Sequence, residues 1–210
     1  NMWVFGGAPG YGKSYLIGAI AYPAARRGTR VVIRDPSGPL SRLAEMPELA
    51  PHSQVINLLE GEPGILNPCA LIREPRREDF GDDRHYNRAV LRASAERRSL
   101  LLDFARRCLT VDLYAHPELL RTLANAARDV HWTMNHSPWH LVEILERSDS
   151  AFAKTVAAAL KDASHMPLFA LAFPEPGFED VPVDLDATLT VISTPGVRRA
   201  PDDKGREDWN

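Results

Sequence analysis

Lysine is scarce in this chain: of its 25 basic residues, only Lys13, Lys154, Lys161 and Lys204 are lysines. The rest are arginines, which reads either as the codon bias of a GC-rich genome or as selection for planar forks that grip phosphate. Cysteine is almost absent. Cys69 and Cys108 stand too far apart in sequence for a C-x-x-C metal or redox pair, and two thiols make no disulfide framework. That pattern suits a reducing compartment, so a cytoplasmic protein is expected. No apolar run approaches the roughly 20 residues of a membrane span, and no charged-then-apolar leader marks a secretory signal. Net charge is small, −3, so no global field draws the chain to nucleic acid or an anionic membrane. DNA contact through a few loops stays open. There is no internal repeat and no Asp-Glu pair anywhere in the sequence.

What is present suffices for a globular core. The 210 residues are 44% hydrophobic and 25% charged, enough for one sizeable core and a small appended subdomain. Residues 2–5 read as a buried strand leading into a glycine loop, and 13–27 as a helix that Pro23 should kink or shorten and Gly28 should close. Residues 31–33 and 55–59 read as strands, 41–45 as a short helix, and 61–64 as a turn. The pattern then changes. After a charged, loop-like stretch at 79–84, helical spacing recurs over 85–109, from Pro117 onward, over 139–145 and over 151–163, the last capped by Asp149 or Ser150. Strand character returns at 187–193, stopped by Thr194-Pro195-Gly196, before a polar tail. The expected organisation is an α/β core over 1–78, a helical insertion over 79–166, and a return to the core over 167–210.

One motif is complete. Gly7-Ala8-Pro9-Gly10-Tyr11-Gly12-Lys13-Ser14 matches G-x-x-x-x-G-K-[ST] at every defined position. Glycines at 7, 10 and 12 allow backbone angles and close approach that a Cβ would block. The loop can then turn its N–H groups inward, at the positive end of the following helix, as a cradle for phosphate. Lys13 is positioned to reach the β- and γ-phosphates, the Ser14 hydroxyl to ligate Mg²⁺, and Tyr15 follows in the helix. The chemistry therefore points to ATP with Mg²⁺.

The other candidates have structural alternatives. Asp35 ends the second strand, where carboxyl ends of parallel strands face a ligand crevice. It either approaches the nucleotide or closes a turn and caps a helix. Asp103 follows three leucines but lies within a helical pattern, and Glu60 follows Leu58-Leu59 into a turn; neither resembles the strand-end carboxylate that activates water in motor ATPases. His131, His136 and His140 lie among Trp132 and Trp139, at spacings that fit no common zinc pattern.

Taken together, these residues resemble the motor ATPases of conjugation and type IV secretion, the TraC-like group, and in particular ATP-binding proteins of actinobacterial conjugative elements. The likeness is carried by the P-loop, Arg27-Gly28-Thr29 leading to Val31-Val32-Ile33-Arg34-Asp35-Pro36, the Leu66-Asn67-Pro68 triplet, the helical middle, and Leu189-Thr190-Val191-Ile192-Ser193-Thr194-Pro195-Gly196. It implies a RecA-like P-loop NTPase core with an incomplete parallel sheet and an inserted all-helical subdomain. It also implies ATP and Mg²⁺ as cofactors and a homo-oligomer, a hexamer, in the full-length protein. Envelope transfer-complex proteins are implied partners, with DNA as a candidate, and the location is cytoplasmic, held at the inner face of the membrane through those partners. Cys69 departs from the family, which places an aromatic residue after Asn-Pro. The family's Walker B strand and arginine finger come further on than this sequence reaches, and Asn1 precedes Met2. The expectation is therefore an internal piece of a longer ATPase that binds ATP with little hydrolysis. The alternatives are a DNA translocase of the FtsK or HerA kind and a non-catalytic nucleotide-binding switch.

Overall fold

The computed structural model describes residues 12–109, 117–174 and 183–194. The chain divides into two compact units, one formed by Asn1–Gly61 with Asp186–Asn210, the other by Glu62–Leu185.

The first unit contains helix α1 (Lys13–Arg26) and strands β1 (Val31–Asp35), β2 (Ser53–Asn57) and β3 (Leu189–Ser193). The strands form a parallel sheet in the order β1-β3-β2. The register pairs Val31 and Ser53 with Leu189, and Asp35 and Asn57 with Ser193. Because side chains alternate along a strand, one face carries Val31, Ile33, Leu189 and Val191. These pack with Ala21 and Ala25 of α1 and with Leu40, Ala44 and Leu49 of the β1–β2 connection. The opposite face is more open, with Val32 at 69% exposure.

α1 does not break at Pro23. That proline sits on the exposed side of the helix, as does Ala19, whose carbonyl loses its donor, so water can serve the lost bond. The helix ends as its sequence suggests. Gly28 has φ 77°, its N–H donates to the Ala25 carbonyl at 2.9 Å, and the Thr29 N–H donates to Ala24 at 3.1 Å. That is the paired closure of a Schellman motif. The short helix expected at 41–45 is a 3₁₀ turn at Pro39–Leu43. β2 lies two residues earlier than expected because the Asn57 side chain accepts from the Leu59 N–H at 3.1 Å and turns the chain out of the strand.

The second unit is helical: α2 (Asp83–Cys108), α3 (Pro117–Arg128), α4 (Pro138–Glu146), α5 (Ala151–Ser164) and the short α6 (Pro167–Ala170). α2 starts at Asp83 because Asp82 caps it, accepting from the His85 N–H at 2.9 Å. Ser150 caps α5 through the Ala153 N–H. Leu101, Leu123, Trp132, Leu141 and Leu160 are fully buried at the centre.

The unit is wider than the 79–166 read from helical periodicity, because non-helical flanks pack into it. The Gly64 and Leu66 N–H groups donate to the carbonyls of Ala170 and Leu171 at 3.1 and 2.6 Å. Buried Asn67 donates to the His136 carbonyl at 2.9 Å and accepts from the Cys69 N–H at 3.1 Å. Phe173 packs against Phe104 and Trp139. Arg97 is fully buried and donates to the carbonyls of Cys69, Ile72 and Trp132, at 3.2, 2.7 and 3.2 Å. It also pairs with Glu74 at 2.9 Å. Periodicity cannot register such contacts, since they are made by loops.

Two glycines of similar backbone angle separate strain from clash. A Cβ on Gly28 would meet nothing within 4 Å, whereas one on Gly64, φ 85°, would lie 2.6 Å from Pro174 Cα. Gly28→Ala should cost only the left-handed strain, about 1–2 kcal/mol. Gly64→Ala should add overpacking, for a total of about 2–5 kcal/mol. Urea unfolding of both variants checks this, and equal costs would contradict it.

Candidate functional site

The start of α1 is the candidate site. Gly12 is the residue before the first helical turn, with φ 72° and ψ 17°, a conformation that glycine adopts without strain. The N-cap residue, Gly12, has no side chain with which to cap the helix, and the first turn holds no acidic residue. The helical ladder opens with the Leu16 N–H donating to the Gly12 carbonyl at 3.0 Å. The amides of Lys13, Ser14 and Tyr15 therefore precede the first intrahelical bond, at the end carrying about half a positive charge. A side-chain carboxylate here would neutralise that end; the sequence instead places Lys13 and Ser14 in the turn, both half-buried, with Tyr15 83% exposed. The arrangement fits an anionic, phosphate-bearing ligand. Gly7, Ala8, Pro9, Gly10 and Tyr11 lie outside the described residues.

The first unit sets this helix start at the carboxyl end of the sheet. α1 hands directly to the amino end of β1 through Thr29 and Arg30. The 3₁₀ turn that follows β1 comes back onto α1, with Leu40 and Leu43 side chains 3.8–3.9 Å from where a Gly18 Cβ would sit. The N-terminal half of α1 thus stands at the end where Asp35, Ser193 and Asn57 are in register. This is the end at which open parallel sheets hold their ligands.

Asp35 is fully buried at that end, and its carboxylate is already engaged. Oδ1 accepts from the Ser37 N–H and hydroxyl, both at 3.1 Å, and Oδ2 accepts from the Leu40 N–H at 2.7 Å. The Asp35 carbonyl accepts from the Thr194 N–H at 2.9 Å. The side chain therefore closes the turn and caps the 3₁₀ segment. Ser193 and Asn57, its neighbours in register, were not singled out by strand patterning. The signal available was only a polar residue at the end of each apolar run.

The remaining sequence candidates lie elsewhere. Asp103 is on α2 and pairs with Arg106 at 2.8 Å. Glu60 accepts from Asn57 Nδ2 at 3.0 Å. His136 Nδ1 accepts from the Thr133 N–H at 3.0 Å, and His140 Nδ1 accepts from the Ser137 N–H at 3.1 Å, completing a capping box for α4. Burial, then the neighbouring His140, holds the His136 imidazole below its ordinary pKa. Among the described residues no cluster of His, Cys, Asp or Glu is placed to hold a metal. Burial pushes the Cys69 and Cys108 thiols up to about 12, which leaves them unreactive. Among the described residues, grooves open in the helical unit. One of about 390 Å³ is lined by α3, α4 and α5, among them Thr122, Asn125, Ile144 and Ser150. Another, of about 290 Å³, lies beside α2.

A parallel α/β sheet with a glycine-led, uncapped helix start at its carboxyl end defines an α/β core of the P-loop type. The model of the AAA-like domain family matches residues 1–209, and the chain belongs to that family of nucleotide-binding ATPases. No curated protein and no solved structure matches it.

Replacing Asp35 tests its role. Asp35→Ala leaves the Ser37 and Leu40 amides without their acceptor, and should destabilise the first unit by about 1–3 kcal/mol while ATP affinity of the folded variant stays unchanged. Thermal unfolding and calorimetric titration check both halves. A stable variant that no longer binds ATP would make Asp35 a ligand.

Proposed function

We propose that this chain is the ATP-binding part of a motor ATPase that energises DNA or protein transfer in a conjugation or type IV secretion system. The observation that carries the reading is the uncapped α1 start, with Gly12 left-handed and Lys13 and Ser14 in the first turn. It is supported by a family match over 1–209 to a domain type found in TraC/TrbE-type conjugation ATPases. The order of Asp35-Pro36 and Leu66-Asn67-Pro68 and the arginine excess favour the actinobacterial branch of the TraC-like group.

In this reading the backbone of Gly7, Ala8, Pro9, Gly10, Tyr11 and Gly12 forms the phosphate cradle. The Lys13 ammonium takes the β- and γ-phosphates, and the Ser14 hydroxyl holds Mg²⁺. Bound Mg²⁺ would supply charge neutralisation between the two phosphates. The helical unit, Glu62–Leu185, serves as an accessory insertion. The working assembly is a hexamer at the inner face of the membrane, reached through envelope partners, with the transferred DNA as a further partner.

A non-catalytic switch is the second reading, favoured by two observations. The sequence holds no Asp-Glu pair, and the Asp35 carboxylate is committed to Ser37 and Leu40. Water activation needs a positioned carboxylate, and an arginine finger alone contributes about 10³–10⁵ in rate.

Lys13→Ala removes a charge-assisted phosphate contact worth about 1.5–3 kcal/mol, and should weaken ATP binding about 10- to 100-fold with the fold retained. Unchanged affinity by calorimetry would remove the assignment. Steady-state phosphate release by the 210-residue chain with Mg²⁺ should stay below about 1 s⁻¹, the low end of ordinary enzymes. Faster turnover abolished by Asp35→Ala would show that the catalytic set is already present and would end the switch reading.

A further inference from the structure

One face of α2 in the helical unit carries a stripe of arginines, although the chain is slightly acidic. Arg84, Arg88, Leu91, Ala95 and Arg98 follow each other along α2 at spacings of four and three, which holds them on a single stripe. Arg84 and Arg88 are exposed, and among the described residues neither side chain has an ion pair or hydrogen bond. Leu91 is 66% exposed between them and Arg98. Arg98 reaches the Arg128 carbonyl at the end of α3, at 3.3 Å. The groove of about 290 Å³ there is lined by Leu91, Ala95, Arg98, Arg128 and His131.

Carboxylates are few on this side. Arg92 flanks the stripe in an exposed pair with Glu96 at 2.7 Å, a tie of little strength in water. Asp129 also lines the groove. At the start of the stripe, Asp82 caps α2 and pairs with His85, and Asp83 pairs with Arg77. Arg84 and Arg88 thus stand exposed without an acidic partner among the described residues, although the chain as a whole has an excess of acid, −3.

We propose that this stripe binds the sugar–phosphate backbone of a nucleic acid without reading its sequence. Guanidinium forks match phosphate bidentately where an ammonium does not. Along the helix axis Arg84 and Arg88 stand about 6 Å apart and Arg98 about 15 Å further on, so the stripe runs about 21 Å, room for several phosphates. The apolar Leu91 and Ala95 beside the cations suit the faces of sugars and bases. An acidic protein segment would be met by the same charges but gives no reason for that apolar strip. The proposal deepens the transfer-motor reading by giving the polymer a place to bind, while its residues lie on a different element from Lys13.

The test is fluorescence anisotropy of the full chain with a short labelled oligonucleotide, single-stranded and duplex, titrated with salt from about 50 mM. Wild type should bind at least one form, more weakly as salt rises. Arg84→Glu/Arg88→Glu should weaken binding about tenfold or more and reduce the log–log salt slope by about 1.4–1.8, two phosphate contacts' worth. Arg84→Lys/Arg88→Lys keeps the charge and should keep most of the slope. Tighter binding of the single strand than of the duplex would assign the apolar strip to bases, and equal binding would assign the contact to backbone alone. Lys13→Ala should leave oligonucleotide binding intact, and the charge reversal should leave ATP affinity intact, so the two readings fail separately. Absence of binding by wild type, indifference to the charge reversal, or equally tight binding of polyglutamate with the same loss would overturn the proposal.

Discussion

Parallel strand pairing is the constraint on which the rest of this structure depends. Two parallel strands cannot be joined by a tight turn, so each connection must travel the length of the sheet and return. Between β1 and β2 that return is short and 3₁₀-like, and it supplies Leu40 and Ala44 to the core over α1. Between β2 and β3 the chain makes the whole helical unit before coming back as the central strand. Because the three described strands run the same way, their polar ends, Asp35, Ser193 and Asn57, are gathered at one end of the sheet. The helix that feeds β1 starts at that end too. The site is thus a product of strand direction and not of any one side chain.

The helical unit is held by a different kind of interaction. Arg97 places a full charge where no water reaches, and it is tolerable because three carbonyls and Glu74 take its hydrogens. Hydrogen bonds to a charged group contribute about 1.5–3 kcal/mol each, so this one side chain fastens the loop at Cys69–Ile72 and the turn at Trp132 to α2. Asn67 does the same for the His136 turn. These polar anchors explain why the compact unit begins near Glu62 and not at the first helical residue.

Much of this was legible from residue pattern. The strands at β1 and β3, the start of α1, the left-handed Gly28 and the Ser150 cap are local features, written in β-branched runs, a glycine and a hydroxyl. Helices α2 to α5 followed from apolar spacing, while the single turn α6 did not. What was not legible is what depends on distant partners. The strand order β1-β3-β2 sets residues more than a hundred positions apart side by side, and nothing local in 189–193 announces that it is central. Asp35 had two readings because its fate depends on whether Ser37 and Leu40 turn their amides back to it, which they do. Arg97 was one arginine among many until burial set it apart. Of the candidate site, Gly12, Lys13 and Ser14 are placed by the helix they begin, while the loop before them was read from its motif alone.

The central claim is that the uncapped start of α1 is where nucleotide phosphate binds. Amide hydrogen exchange with and without Mg²⁺ and ATP tests it most directly, because the proposed ligands include backbone N–H groups that a change of side chain leaves in place. The account predicts slowed exchange concentrated at residues 12–16, with α4 and α5 unchanged. Exchange at 12–16 that is indifferent to saturating nucleotide, with protection arising instead in the helical unit, would contradict it.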